Sequence, residues 1–196
     1  MTVSSEAIPL QTGDALVLVD VQNDFLPGGS LAVPEGDQIL EPINRWLARF
    51  SAARLPVFAT RDWHPPEHCS FAARGGPWPP HCVAGTRGAQ FAPGLQLRGG
   101  SRLTVIDKGT DPDADAYSGF QGTDLHTRLQ GAAARRLFVG GLATDYCVLN
   151  TVTDACRLGY EVVLLESAIR PVEVHPGDGA RATAAMIQAG ARVLKE

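Results

Sequence analysis

The chain has 196 residues, 44% of them hydrophobic, which suits one globular unit with a full core. A formal net charge of -4 with no basic cluster excludes nucleic acid and anionic membrane surfaces as expected partners. No apolar run approaches the roughly 20 residues of a membrane span, and four cysteines without a CxxC pair point to reduced thiols in the cytoplasm.

The opening "MTVSSEAIPLQTG" (1–13) lacks a basic start and an apolar centre, so it reads as a polar extension rather than a signal peptide. "ALVLVD" (15–20) is a continuous apolar run ending in a carboxylate, as a buried parallel strand would read. "DQILEPINRWLARF" (37–50) sets Ile39, Leu40, Ile43, Trp46, Leu47 and Phe50 on one helical face, with Asp37 as its cap. "LPVFAT" (55–60) is a second strand. Residues 61–101 then break the rhythm with proline pairs, glycine pairs and two tryptophans, and are expected to form an ordered functional loop.

"RLTVID" (102–107) and "RRLFVGG" (135–141) are the third and fourth strands. Helix 145–158 stops at Gly159, strand "YEVVLLE" (160–166) follows, and helix 178–189 leads through Gly190 into "ARVLKE". Such alternation predicts an α/β fold: three α/β/α layers around a mostly parallel sheet, in a single domain spanning 1–196.

The unusual polar residues all fall at the carboxyl ends of strands. Asp20 ends the first, Asp62 and His64 follow the second, Lys108 the third and Cys147 the fourth. That edge is where open α/β sheets bind ligands. Cys147 has two readings. With Val148, Thr151, Val152, Ala155 and Leu158 it makes a core stripe, yet it also sits near a helix N-terminus, where the dipole favours thiolate. Of 17 basic residues only Lys108 and Lys195 are lysine. Lysine at 108 therefore suggests a compact, deprotonatable ammonium that arginine cannot provide.

Three of the five histidines, His64, His68 and His81, lie in "RDWHPPEHCSFAARGGPWPPHC". Asp62 and His64, two apart, face one side of an extended segment. His81, stiffened by Pro79 and Pro80, could complete a two-histidine, one-carboxylate metal site with open positions. Cys69 and Cys82 lack the spacing of structural zinc ligands. His68 has three readings: a fourth ligand, a donor to one, or a loop residue.

Together, "VDVQNDFLPGGSLAV", "RDWHPPEHCSF", "WPPHCVAGT", "AYSGF" and "GLATDYCV" resemble the nicotinamidases of the isochorismatase-like cysteine hydrolases, in the family's order from about residue 15 to the C-terminus. The resemblance implies Asp20, Lys108 and Cys147 as the catalytic triad and Asp62, His64 and His81 as ligands of one divalent metal: zinc, iron or manganese. It also implies a cis peptide at Leu142–Ala143, an oxyanion hole from the amides of Ala143 and Cys147, and Phe25, Trp78 and Tyr117 around a pyridine ring. Residues 109–116, between Lys108 and Tyr117, vary in this family. The implied activity is hydrolysis of nicotinamide, and of pyrazinamide, through a cysteine thioester in NAD salvage. The metal would anchor the ring nitrogen. Two rivals stay open: a relative acting on another amide, carbamoyl or vinyl-ether substrate, and a noncatalytic binder that keeps the pocket. The family ranges from monomers to larger assemblies, so a homo-oligomer is compatible with the sequence.

Overall fold

The computed structural model of the protein describes residues 8–97 and 103–195. Residues 1–7 of the expected extension and 98–101 of the expected loop lie outside the described residues. Strand β1 (Asp14–Val19) is buried along its whole length, because it sits in the middle of the sheet with apolar neighbours on both sides. It pairs in parallel with β2 (Val57–Asp62) and β4 (Arg136–Leu142). Beyond them lie β3 (Leu103–Lys108) on one side, and β5 (Glu161–Arg170) and β6 (Arg192–Leu194) on the other. The order is β3-β2-β1-β4-β5-β6 with every pairing parallel.

Period-2 alternation splits β1 between two cores. Leu16 and Leu18 join Ile43, Trp46 and Phe50 of α1 (Leu40–Ala52) on one face. Ala15, Val17 and Val19 face a second cluster, built from α2 (Leu125–Gly131), α3 (Leu149–Arg157) and α4 (Asp178–Gln188). The three expected layers form. The chain winds outward from β1 to β3, then returns to β4 beside β1. That reversal leaves a crevice between the ends of β1 and β4, the position where such sheets take ligands.

The structure corrects several local expectations. Asp37 lies inside a 3₁₀ turn (Gly36–Ile39) rather than capping α1, which starts without a side-chain cap. Arg61 and Asp62 belong to β2, not to the loop, because β3 pairs with β2 as far as Asp62 and Lys108. Helix α2 was not anticipated: seven residues with Leu125 and Leu129 as its buried face give little periodic signal. Leu158 drops out of the core stripe, 44% exposed just past the end of α3. No helix of the described residues is long and apolar enough to cross a membrane.

Candidate active site

Four strand ends supply the site. Asp20 follows β1 in a left-handed conformation (φ 50°), which aspartate tolerates better than most residues. Its Oδ1 accepts a hydrogen bond from Thr60 Oγ1 at 2.7 Å, while Oδ2 has no hydrogen-bond partner among the described residues. Asp62 and Lys108 end β2 and β3 in register with each other, which sets carboxylate beside ammonium. Lys108 Nζ donates to Asp62 Oδ1 and, at 3.0 Å, to the Ala116 carbonyl. It also lies 3.0 Å from Asp20 Oδ2 and 3.5 Å from Cys147 Sγ.

The fourth strand delivers the thiol. Gly141 (φ 129°) is where β4 passes against β1: a Cβ there would stand 2.0 Å from the Val19 carbonyl oxygen, so only glycine fits. The next peptide, Leu142–Ala143, is cis. Residues Thr144–Val148 then form a π-helical turn in place of the first turn of the expected helix 145–158. The Ala143 carbonyl accepts the N–H groups of Tyr146 and Val148, each at 3.1 Å, on either side of Cys147. Cys147 therefore has a core side and a cleft side. It packs with the apolar cluster under α3 and is 7% exposed, yet its sulfur meets the ammonium at the cleft.

The electrostatics differ from the sequence expectation in two respects. Burial raises the Cys147 thiol pKa well above its ordinary value, against the pull of Lys108, so the helix start does not by itself make a thiolate. Burial acts to lower Lys108, but Asp20, Asp62 and Cys147 outweigh it and hold the ammonium firmly charged rather than deprotonatable. Asp20 is raised by burial despite Lys108 and Thr60. Asp62 is different: burial pushes it up, but Lys108 and His64 hold it below the usual carboxylate range.

Asp62, His64 and His81 bring three potential ligand atoms within 4.8 Å of one another, all from buried residues. Each histidine ring is oriented by a backbone carbonyl: His64 Nδ1 lies 2.8 Å from Gly109 O, and His81 Nδ1 lies 2.8 Å from Pro79 O. With Nδ1 so engaged, Nε2 remains as the metal-facing nitrogen, the arrangement that fixes tautomer in metal-binding histidines. Gly109 is required here, since a Cβ would fall 2.4 Å from the His64 ring. Two imidazoles and one carboxylate suit a divalent transition metal. His68 stacks on His64 at 4.1 Å, but its nitrogens meet Ser70 Oγ at 2.7 Å and the Ala114 carbonyl at 3.2 Å. It stands beside the three grouped residues and is not among them.

The cleft above Cys147 is lined by Phe25, Trp78 and Tyr117, as the sequence predicts, and by Ala143, Asp62 and His81. Trp78 Nε1 donates to the Tyr117 hydroxyl at 3.0 Å, which fixes both rings. Sequence reasoning missed Tyr146, Leu31, Val33 and Val172, which complete the lining. Tyr146 packs 5.1 Å from Trp78 and 5.8 Å from Tyr117, and its place next to Cys147 was the available signal. Val172 had none, because it arrives from beyond β5. Asp145 holds that segment by accepting the N–H groups of Val172 and Glu173, each at 2.9 Å.

The profile of the isochorismatase domain family matches residues 14–195. The nicotinamidase of Escherichia coli (strain K12) is 41% identical over 198 residues, covering 90% of this chain and 92% of that protein. The pyrazinamidase of Pyrococcus horikoshii, solved in complex with zinc, matches with a TM-score of 0.89 and 44% identity over 94% of this chain and 99% of that one. PnC1 from L. infantum, solved in complex with nicotinate, matches with a TM-score of 0.83 and 42% identity over 100% of this chain and 96% of that one. Fold, site geometry and these likenesses agree, and the chain belongs to the isochorismatase domain family.

Proposed function

We propose that the protein is a nicotinamidase, hydrolysing nicotinamide to nicotinic acid and ammonia, and pyrazinamide by the same steps, as a single domain with Asp20, Lys108 and Cys147 as catalytic residues. The observation that carries this reading is the thiol, 3.5 Å from an ammonium that is itself 3.0 Å from a buried carboxylate. The names of the E. coli and P. horikoshii relatives support the substrate class.

An amide is a poor electrophile, so the reaction divides into thiolate attack and thioester hydrolysis. Asp20 takes the thiol proton on Oδ2, the oxygen without a hydrogen-bond partner. Its raised pKa suits it to hold that proton and pass it to the departing nitrogen. Sulfur bonds to the carboxamide carbon, the C–N bond breaks, and ammonia leaves with the proton. Water then adds to the thioester, giving its proton to Asp20, the C–S bond breaks to release the acid, and Asp20 returns the proton to the departing thiolate to restore the free thiol. Lys108 offsets the negative charge that moves between sulfur and carboxylate. The amides of Ala143 and Cys147 serve as the oxyanion hole, where each donor contributes about 3–4 kcal/mol.

One divalent metal held by Asp62, His64 and His81 would supply a contact that orients the ring nitrogen, a templating role. Zinc is our assignment, from the donor set and the P. horikoshii complex. Phe25, Trp78 and Tyr117 flank the ring, with Tyr146 added to the box. Four free thiols support a reducing, cytoplasmic location. Ammonia release from nicotinamide, before and after chelation and zinc restoration, tests the assignment. Activity should vanish and return, with benzamide, which lacks the ring nitrogen, turned over far more slowly. No ammonia from nicotinamide by the zinc-loaded protein overturns the reading.

A further inference from the structure

A second group of ligand atoms lies beside the first. Asp20, Asp62 and Cys147 bring two carboxylate oxygens and a sulfur within 4.8 Å of one another, all buried. Two ligands of one zinc ion, at about 2.0–2.3 Å each, stand at most about 4.6 Å apart, so separations of this size are on the scale of a shared ion. Its Asp20 is fully buried, and beyond the 3.0 Å ion pair to Lys108 its Oδ2 has no hydrogen-bond partner among the described residues. What stands among these atoms is Lys108 Nζ, donating to Asp62 Oδ1, 3.0 Å from Asp20 Oδ2 and 3.5 Å from Cys147 Sγ.

Asp62 belongs to both groups, and its oxygens are divided. Oδ1 faces the ammonium, while Oδ2 lies 3.6 Å from His64 Nε2, on the side of the histidine ligands. A carboxylate placed so is able to bridge two cations. Here one of the two positions is filled by a cation tethered to the chain.

We infer that Lys108 is a tethered cation closing a second divalent-metal site, made by Asp20, Asp62 and Cys147, against zinc-like ions. The physical reason is competition for the same ligands. A thiophilic ion bound there would take the sulfur lone pair needed for attack and the carboxylate needed for the proton. The ammonium balances the same charges but forms only hydrogen bonds, so sulfur and Oδ2 stay free to react. Arginine could not do this, since its planar fork would engage the carboxylates two bonds at a time. Lys108 thereby confines metal to Asp62, His64 and His81, and the inference rests on that metal reading only for the count in the unaltered chain.

Cobalt(II) binding to the full chain tests the inference, because a thiolate–cobalt bond adds a near-ultraviolet charge-transfer band. The unaltered protein should take one equivalent without that band. Lys108→Ala should take one equivalent more and acquire the band, and Lys108→Ala/Cys147→Ala should lose it. Lys108→Gln, which is uncharged and one atom shorter, serves if the alanine variant does not fold, with the same result expected. An unchanged count without the band in the folded variant overturns the inference, as does a thiolate band in the unaltered chain at one equivalent. If the unaltered chain takes none and the variant takes one with the band, the metal centre proposed above falls while the closed site stands.

Discussion

Two ion pairs with buried carboxylates sit at opposite ends of β1, and they are built differently. At the start of the strand, Asp14 accepts both Nε and Nη2 of Arg136, at 2.8 and 2.7 Å, and Gln11 N donates to Oδ2 at 2.7 Å. One arginine meets one carboxylate, in register on the neighbouring strand, and both oxygens are satisfied. At the other end, one lysine serves Asp20 and Asp62 together and touches a thiol, and its 3.0 Å ion pair is all that meets Asp20 Oδ2 among the described residues. A satisfied bidentate pair holds strands in place. An under-satisfied cluster with a proton still to place is suited to chemistry.

The sharpest way to break this contrast is to remove the sulfur. Cys147→Ala is expected to lower kcat by at least about 10⁴-fold with the circular dichroism spectrum unchanged. Cys156→Ala, half-buried on α3 and outside the cleft lining, should keep most activity; the reverse result would refute the assignment of the nucleophile.

Next come the two aspartates of β1. Asp20→Asn keeps the shape but not the proton acceptor, and should cost about 10²–10⁴-fold in kcat/KM. Asp14→Ala leaves the part-buried Arg136 without its partner and should cost about 1–3 kcal/mol in urea unfolding, with kcat/KM of the folded fraction unchanged. If Asp14→Ala abolished turnover of folded protein, the division into a structural end and a reactive end would be wrong.

The smallest effect concerns pH. Burial raises Asp20, so the acidic limb of kcat/KM is expected above the ordinary aspartate range. The Thr60 hydroxyl opposes that rise, so Thr60→Val should move the limb to higher pH. A limb that moves down would contradict Asp20 as the base. The linked stability has the corresponding sign: a carboxyl raised in the folded state contributes stability below its unfolded pKa, which is lost as pH rises through the folded one.

Much of this site was legible before any coordinates. Asp20, Asp62, Lys108 and Cys147 each stand at the end of an apolar run, and a parallel sheet gathers such ends along one edge. The lone internal lysine among arginines also marked the reactive end, though for a different reason than expected. It matters as a permanent point charge shared by three groups, not as a group that gives up its proton. Tyr146 and Val172 were not readable, because a cleft wall depends on which loops meet above the sheet. His68 was ambiguous in the sequence, and its ring nitrogens meet Ser70 and Ala114, contacts set by loops that periodicity does not place.

The sequence by itself determined the three layers, the positions of five of the six strands and the identity of the charged residues at their ends, since these follow from local periodicity and turn chemistry. Only the tertiary structure decided how those charges share protons. Whether Cys147 rests as thiol or Lys108 keeps its charge depends on burial and on neighbours 3.0 to 3.5 Å away that are 39 to 88 positions apart in the chain. Coulomb energies and desolvation depend on distance in space, which periodicity along the chain does not encode.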